Sequence, residues 1–110
     1  MGRRHSQLSQ EDWESRVLDT FMPRGRLVQV PAQRKKRLVV LRWFADLFRP
    51  AQRYPEPVVN DVLRRYHDDV ATLRRLLVDE ELFQRRAGLY WRAGTLPYPP
   101  LNRPSTATGA

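Results

Sequence analysis

The chain has 110 residues, which is enough for one domain with one hydrophobic core and too short for two. It has no cysteine, which excludes disulfides and cysteine nucleophiles, and no apolar run near the ~20 residues that a membrane span needs. Arg3 and Arg4 are followed by no apolar segment, so we expect no secretory signal and a cytoplasmic location.

The net charge of +8 is high for this length and falls on residues 24–92, since the flanking segments nearly cancel each other. A compact body with this surplus should attract polyanions, mainly through phosphate contacts and the release of counterions. Most of the basic residues are arginine, so the codon bias of a GC-rich genome is an alternative explanation of the charge.

The first half of the chain predicts two helices. Ser9 suits a helix N-cap, and Trp13, Val17 and Phe21 recur every four residues, which predicts an amphipathic accessory helix over residues 9–22. Residues 27–30 look like a short extended segment, and residues 32–48 have a helical apolar pattern. The basic cluster at residues 34–37 opposes the dipole of this second helix, so an external anion or simple solvation would have to compensate it.

The second half predicts two short helices and a hairpin. Pro55 and Pro57 suit the first turn of a helix, and Asp69 suits the N-cap of the next, over residues 69–80. Alternating apolar residues around Ala87-Gly88 predict a hairpin over residues 82–92. Helix, helix and hairpin in this order predict a mainly α, winged helix-turn-helix-like domain over residues 23–95. Residues 1–8 and 96–110 are predicted to be disordered.

Residues 31–92 resemble a bacterial family, the domain of unknown function 2087. The matching residues are Pro31, Arg34-Lys35-Lys36-Arg37, Leu41-Arg42-Trp43, Tyr54, Glu56, Val59-Asn60, His67, Asp69, Thr72-Leu73-Arg74-Arg75, Leu77-Val78 and Tyr90-Trp91. The chain departs from the family pattern at Pro55, which replaces a small hydroxylated cap, and at Leu76, which replaces a polar residue. The family occurs alone or behind a helix-turn-helix in ArsR-like regulators, so the resemblance supports the fold more than an activity.

We interpret the helix-helix-hairpin unit as a module that binds double-stranded DNA. Helix 69–80 would enter the major groove, where Thr72 and Arg75 lie on its free face and Arg75 is placed to read guanine. Hairpin 82–92 would act as the wing and reach the minor groove. The predicted nucleic-acid-binding residues are Arg34, Lys35, Lys36, Arg37, Arg64, Arg65, Thr72, Arg74, Arg75, Arg85 and Arg86. We expect no catalytic activity, cofactor or metal.

Several alternatives stay open. Asp68 and Asp69 would repel phosphate, and Arg74 would bind no phosphate if it paired with a carboxylate of the fold. The main rival is a protein-interaction module without nucleic-acid binding, with a homodimer or protein partner meeting Trp13, Val17, Phe21 or Leu76. Tyr90 and Trp91 are of the types that stack on RNA bases, but aromatic residues in a hairpin more often belong to the core. His67 beside the aspartates is too isolated to indicate a metal site.

Overall fold

The computed structural model describes residues 9–97. Within this range the helices are α1 (Gln10–Phe21), α2 (Arg34–Ala45), α3 (Glu56–Arg64) and α4 (Val70–Asp79), and the strands are β1 (Tyr54–Pro55), β2 (Phe83–Arg86) and β3 (Leu89–Arg92). The disorder predicted for residues 1–8 and for most of 96–110 lies outside the described residues. Residues 96 and 97 are described, and the carbonyl of Pro97 accepts a hydrogen bond from the Arg53 guanidinium.

The capping residues act as the sequence predicts. The Ser9 hydroxyl accepts a hydrogen bond from the backbone N–H of Asp12 at 3.0 Å, which starts α1. Asp69 accepts from the N–H of Thr72 at 3.2 Å, which starts α4. Pro57 lies in the first turn of α3, where the missing N–H costs nothing, and Pro55 is the N-cap. The three predicted helix starts are therefore confirmed within a residue or so.

Two segments differ from the sequence prediction. Residues 27–30 do not form one extended segment, because the chain bends at residues 28 and 29. The N–H of Leu27 donates to the Tyr66 carbonyl at 2.8 Å, and the N–H of Val28 donates to the Phe21 carbonyl at 2.9 Å. Helix α2 is shorter than the predicted 32–48, because after Ala45 the chain tightens into turns in which the Phe48 N–H bonds to the Ala45 carbonyl. Strand β1 was not predicted, since two residues before a proline-led helix carry no periodic signal.

The three strands form one antiparallel sheet in the order β1-β3-β2. Ala87 and Gly88 connect β2 to β3 with φ values of 53° and 79°, as a two-residue turn with both central residues in the left-handed region requires. Tyr54 of β1 pairs with Tyr90, on the other side of which lies Arg85 of β2. The order helix, strand, helix, helix, hairpin from α2 onward, with its small sheet, gives the predicted mainly α, winged-helix-like fold.

The core lies between the helices and one face of the sheet. It is built on fully buried side chains from α2, α3, α4 and β2, which are Val40, Leu41, Phe44, Val59, Leu63, Leu73, Leu77 and Phe83. Helix α1 packs on α2 through Val17, which is 4% exposed. Trp91 is also fully buried but lies outside this cluster, where the Arg53 guanidinium stacks 5.0 Å from its ring centroid and its Nε1 donates to Gln84. Neither Tyr90 nor Trp91 is exposed for base stacking.

Candidate nucleic-acid interface

Helices α3 and α4 form the helix-turn-helix, and Arg26 braces the turn between them. Its guanidinium donates to the Arg65 carbonyl at 2.9 Å and to the Asp68 carboxylate at 3.0 Å. The Thr72 hydroxyl donates to Asp69 at 2.7 Å, and this bond is the main cause that lowers the pKa of the Asp69 carboxyl. The start of α4 therefore carries a firmly ionised carboxylate, whose charge opposes the approach of phosphate.

The exposed stripe of α4 contains Ala71, Arg75 and Asp79 at four-residue intervals. Arg75 makes no hydrogen bond or ion pair with any residue between 9 and 97, so its guanidinium can contact a ligand. The second predicted base-reading residue, Thr72, is half-buried, and its hydroxyl is engaged in the cap of its own helix. Of the two predicted base-reading residues, Arg75 is therefore the one whose side chain is available to contact a base.

A groove of about 320 Å³ runs between α4 and the hairpin. The charged and aromatic side chains that line it are Arg74, Arg75 and Asp79 of α4, Arg85 and Tyr90 of the hairpin, and Glu56 of α3. The Arg85 guanidinium lies 5.6 Å from the centroid of the Tyr90 ring, a cation–π contact that restrains the arginine on the groove wall. Arg75 of the predicted recognition helix and Arg85 of the predicted wing thus line the same groove, although they are ten positions apart in the sequence.

Arg74, the neighbour of Arg75, lies inside the fold. Its side chain is 19% exposed, and its guanidinium contacts Glu56, Asn60 and Tyr90. The predicted phosphate contact by Arg74 therefore competes with an internal network that includes the carboxylate of Glu56.

The basic cluster at the start of α2 divides into two pairs. Arg34 donates to the Glu80 carboxylate from Nε at 3.1 Å and from Nη2 at 2.7 Å, and Arg37 lies 3.7 Å from the same carboxylate. The bond to Arg34 lowers the pKa of Glu80 and raises that of Arg34. The carboxylate of Glu80, at the end of α4, thus supplies the negative charge that the cluster requires. Lys35 and Lys36 make no such contact with the described residues.

The remaining predicted contacts lie on the turn and the hairpin. Arg64 is exposed and lies 3.4 Å from Asp61, and Arg65 is exposed without a described side-chain partner. By strand alternation Arg86 lies on the sheet face opposite to Arg85, and it is half-buried and contacts another residue. Of the two predicted wing arginines, only Arg85 lines the groove.

The residues predicted for a protein partner are largely covered by the chain itself. Val17 is in the core, and Trp13, Phe21 and Leu76 are half-buried and pack against it. A partner could reach them only through their exposed edges. Trp13 lines a cleft between α1 and α2 with Lys35 and Arg42.

His67 has a structural contact. Its Nδ1 lies 3.0 Å from the Leu27 carbonyl, and because a carbonyl can only accept, Nδ1 carries the proton. Between residues 9 and 97 no group of three His, Cys, Asp or Glu side chains is placed to hold a metal ion. In the same range no helix has the length and apolar character to cross a membrane.

A family model described as "Uncharacterized protein conserved in bacteria (DUF2087)" matches residues 26–92, which is more than half of the chain. The chain belongs to this family. Neither the comparison with curated proteins nor that with solved structures gave a match. The matched region begins at Arg26, the residue that braces the helix-turn-helix, and ends with β3, so it contains the whole winged-helix-like unit and leaves α1 outside.

Sequence reasoning missed the carboxylates that occupy the predicted contacts. Glu80 was read as the end of a helix and Glu56 as a family position, yet each holds an arginine. Arg26 and Arg53, which brace the turn and cover Trp91, were also missed. Their partners lie about forty residues away in the chain, so no local pattern reveals them.

Proposed function

We propose that this protein is a small bacterial DNA-binding transcriptional regulator, acting in the cytoplasm, with α4 as the recognition helix and the hairpin as the wing. The observation that carries the proposal is the groove between α4 and the hairpin, which Arg75 and Arg85 line without an ion pair to a carboxylate among residues 9–97. The net charge of +8 favours the same class of ligand.

We expect a phosphodiester strand to pass through the groove. When a helix lies in the major groove and a wing reaches the adjacent minor groove, the backbone between the two grooves passes between helix and wing. Arg85, held over the Tyr90 ring, would contact this backbone and fix the register, whereas Arg75 on the exposed stripe would reach a base edge. We expect α4 to contact DNA through the helical turn that contains Arg75. Its first turn is less suitable, because the Asp69 carboxylate at the helix start repels phosphate.

Fluorescence anisotropy with duplex DNA tests the proposal when Arg75→Ala and Arg85→Ala are compared with Arg16→Ala. Arg16 is an exposed arginine on α1, so its replacement makes the same change in charge away from the groove. Arg85→Ala should weaken binding to all sequences alike and reduce the salt slope by about 0.9, as the loss of one phosphate contact does. Arg75→Ala should reduce the preference for the best sequence by about 1–3 kcal/mol.

Arg16→Ala should leave both quantities unchanged. A library of random duplexes enriched by repeated selection on the wild-type protein supplies the best sequence. Equal losses in all three variants would mean that net charge, rather than the groove, attracts DNA. Undetectable binding by the wild-type protein would reject the proposal and favour the protein-interaction module.

A further inference from the structure

Arg74 is enclosed by acceptors from two other elements. Its Nε donates to the Tyr90 hydroxyl at 3.3 Å, and its Nη1 donates to the Asn60 side-chain oxygen. Its Nη2 lies 3.5 Å from one oxygen of Glu56, whose other oxygen accepts from the Tyr90 hydroxyl at 3.0 Å. All three nitrogens of the guanidinium are therefore directed at protein atoms of α3 and β3.

This network joins the two walls of the groove. Arg74 is adjacent to Arg75 on α4, and Tyr90 lies directly opposite Arg85 in the hairpin. Glu56 and Asn60 connect both to the first helix of the helix-turn-helix. A phosphate that bound Arg74 would have to displace a carboxylate and leave it uncompensated in a half-buried site, which is unfavourable.

We infer that Arg74 is a positioning residue, which sets the separation of Arg75 and Arg85 through Tyr90 and Glu56 and makes no phosphate contact of its own. The inference rests on the proposed DNA binding and assigns a different role to one of its predicted contacts. It follows that removal of an uncharged group, the Tyr90 hydroxyl, should alter the electrostatics of DNA binding.

The test is the salt dependence of duplex binding by Tyr90→Phe, Arg74→Lys and the double variant. Tyr90→Phe keeps the buried ring and the charge, and it removes the hydroxyl that bonds to both Arg74 and Glu56. We expect about a two- to tenfold loss of affinity, the range that one such hydrogen bond supports, and a shallower salt slope. The double variant should lose little more than either single variant, because both break the same network.

Tyr54→Phe is the matched control. The Tyr54 hydroxyl also accepts a hydrogen bond, from the backbone N–H of Arg49 at 2.8 Å, and Tyr54 pairs with Tyr90 in the same sheet. Its hydroxyl does not contact the network, so Tyr54→Phe should leave the salt slope unchanged. Circular dichroism and thermal melting establish that each variant is folded at the temperature of the titration.

A phosphate-binding Arg74 predicts a different pattern. Tyr90→Phe would then keep the wild-type slope, Arg74→Lys would keep most of the affinity, and the losses of the double variant would add. Such a result overturns the inference while the proposed function stands. If Arg74 had only a structural role, Tyr90→Phe would melt at a lower temperature but keep the salt slope of the wild-type protein. That result would also overturn the inference. If the wild-type protein binds no duplex, the proposed function fails, and the inference fails with it.

Discussion

The number of arginines and lysines that can meet phosphate determines how steeply salt weakens DNA binding, and internal ion pairs reduce this number. Ten of the predicted contact residues are cationic. Four of the ten, Arg34, Arg37, Arg64 and Arg74, pair with carboxylates of the fold. Arg86 contacts another residue. The other five make no hydrogen bond or ion pair with residues 9–97, and they are Lys35, Lys36, Arg65, Arg75 and Arg85.

Each phosphate contact adds about 0.9 to the slope of log K against log salt concentration. The five available cations of the predicted interface therefore give a slope of at most about −4.5, and Arg85, the groove cation proposed to meet phosphate, alone gives about −0.9. Contacts by all ten would give about −9. Between about 50 and 200 mM salt, Kd should rise by at most roughly 500-fold, whereas ten contacts would raise it by more than about 10⁵-fold.

The assay is anisotropy of a labelled duplex at four or more salt concentrations in this range. A slope steeper than about −6 would refute the reasoning, because phosphate would then be bound by internally paired arginines or by cations outside the predicted interface. Arg34→Ala and Lys35→Ala form an adjacent pair that sharpens the test. Arg34 is held by Glu80, so its removal should leave the slope unchanged, while removal of Lys35 should reduce it by about 0.9 if Lys35 meets phosphate.

Two further predictions concern stability. Glu80 has a lowered pKa in the folded state, so the stability it contributes is complete above the ordinary glutamate pKa of about 4.3 and is lost as the pH falls through the lowered value. The melting temperature of Glu80→Gln should therefore lie below that of the wild-type protein at pH 7, and the difference should shrink as the pH falls through the lowered pKa of Glu80. Ala87→Asn should raise stability by about 0.5–1 kcal/mol, since asparagine tolerates the left-handed φ of 53° better, and chemical denaturation measures this gain.

A constant difference between Glu80→Gln and wild type at every pH would mean that the charge of Glu80 does not stabilise the link between α2 and α4. A loss of stability in Ala87→Asn would show that the turn does not favour asparagine at its first position.

Interactions between residues close in the sequence explain most of the features of the fold that were predicted correctly. Ser9 and Asp69 are caps because their side chains accept from an N–H three residues on, and Ala87-Gly88 forms the turn because only two residues separate the alternating segments. Strand β1 escaped prediction because Tyr54 and Pro55 become a strand only by pairing with β3, more than thirty residues later. The bends at residues 28 and 29 depend on a bond to Tyr66, which is equally distant.

In the candidate interface, too, some features follow from the local sequence and others from contacts between distant residues. Capping and periodicity act within a few residues, so local sequence is enough to predict that two short helices precede a hairpin and that Asp69 begins the second of them. The availability of each cation depends instead on contacts between distant parts of the chain. Glu80 holds Arg34 from 46 positions away and Glu56 approaches Arg74 from another helix, so the fold pairs these arginines and leaves Arg75 and Arg85 facing one groove.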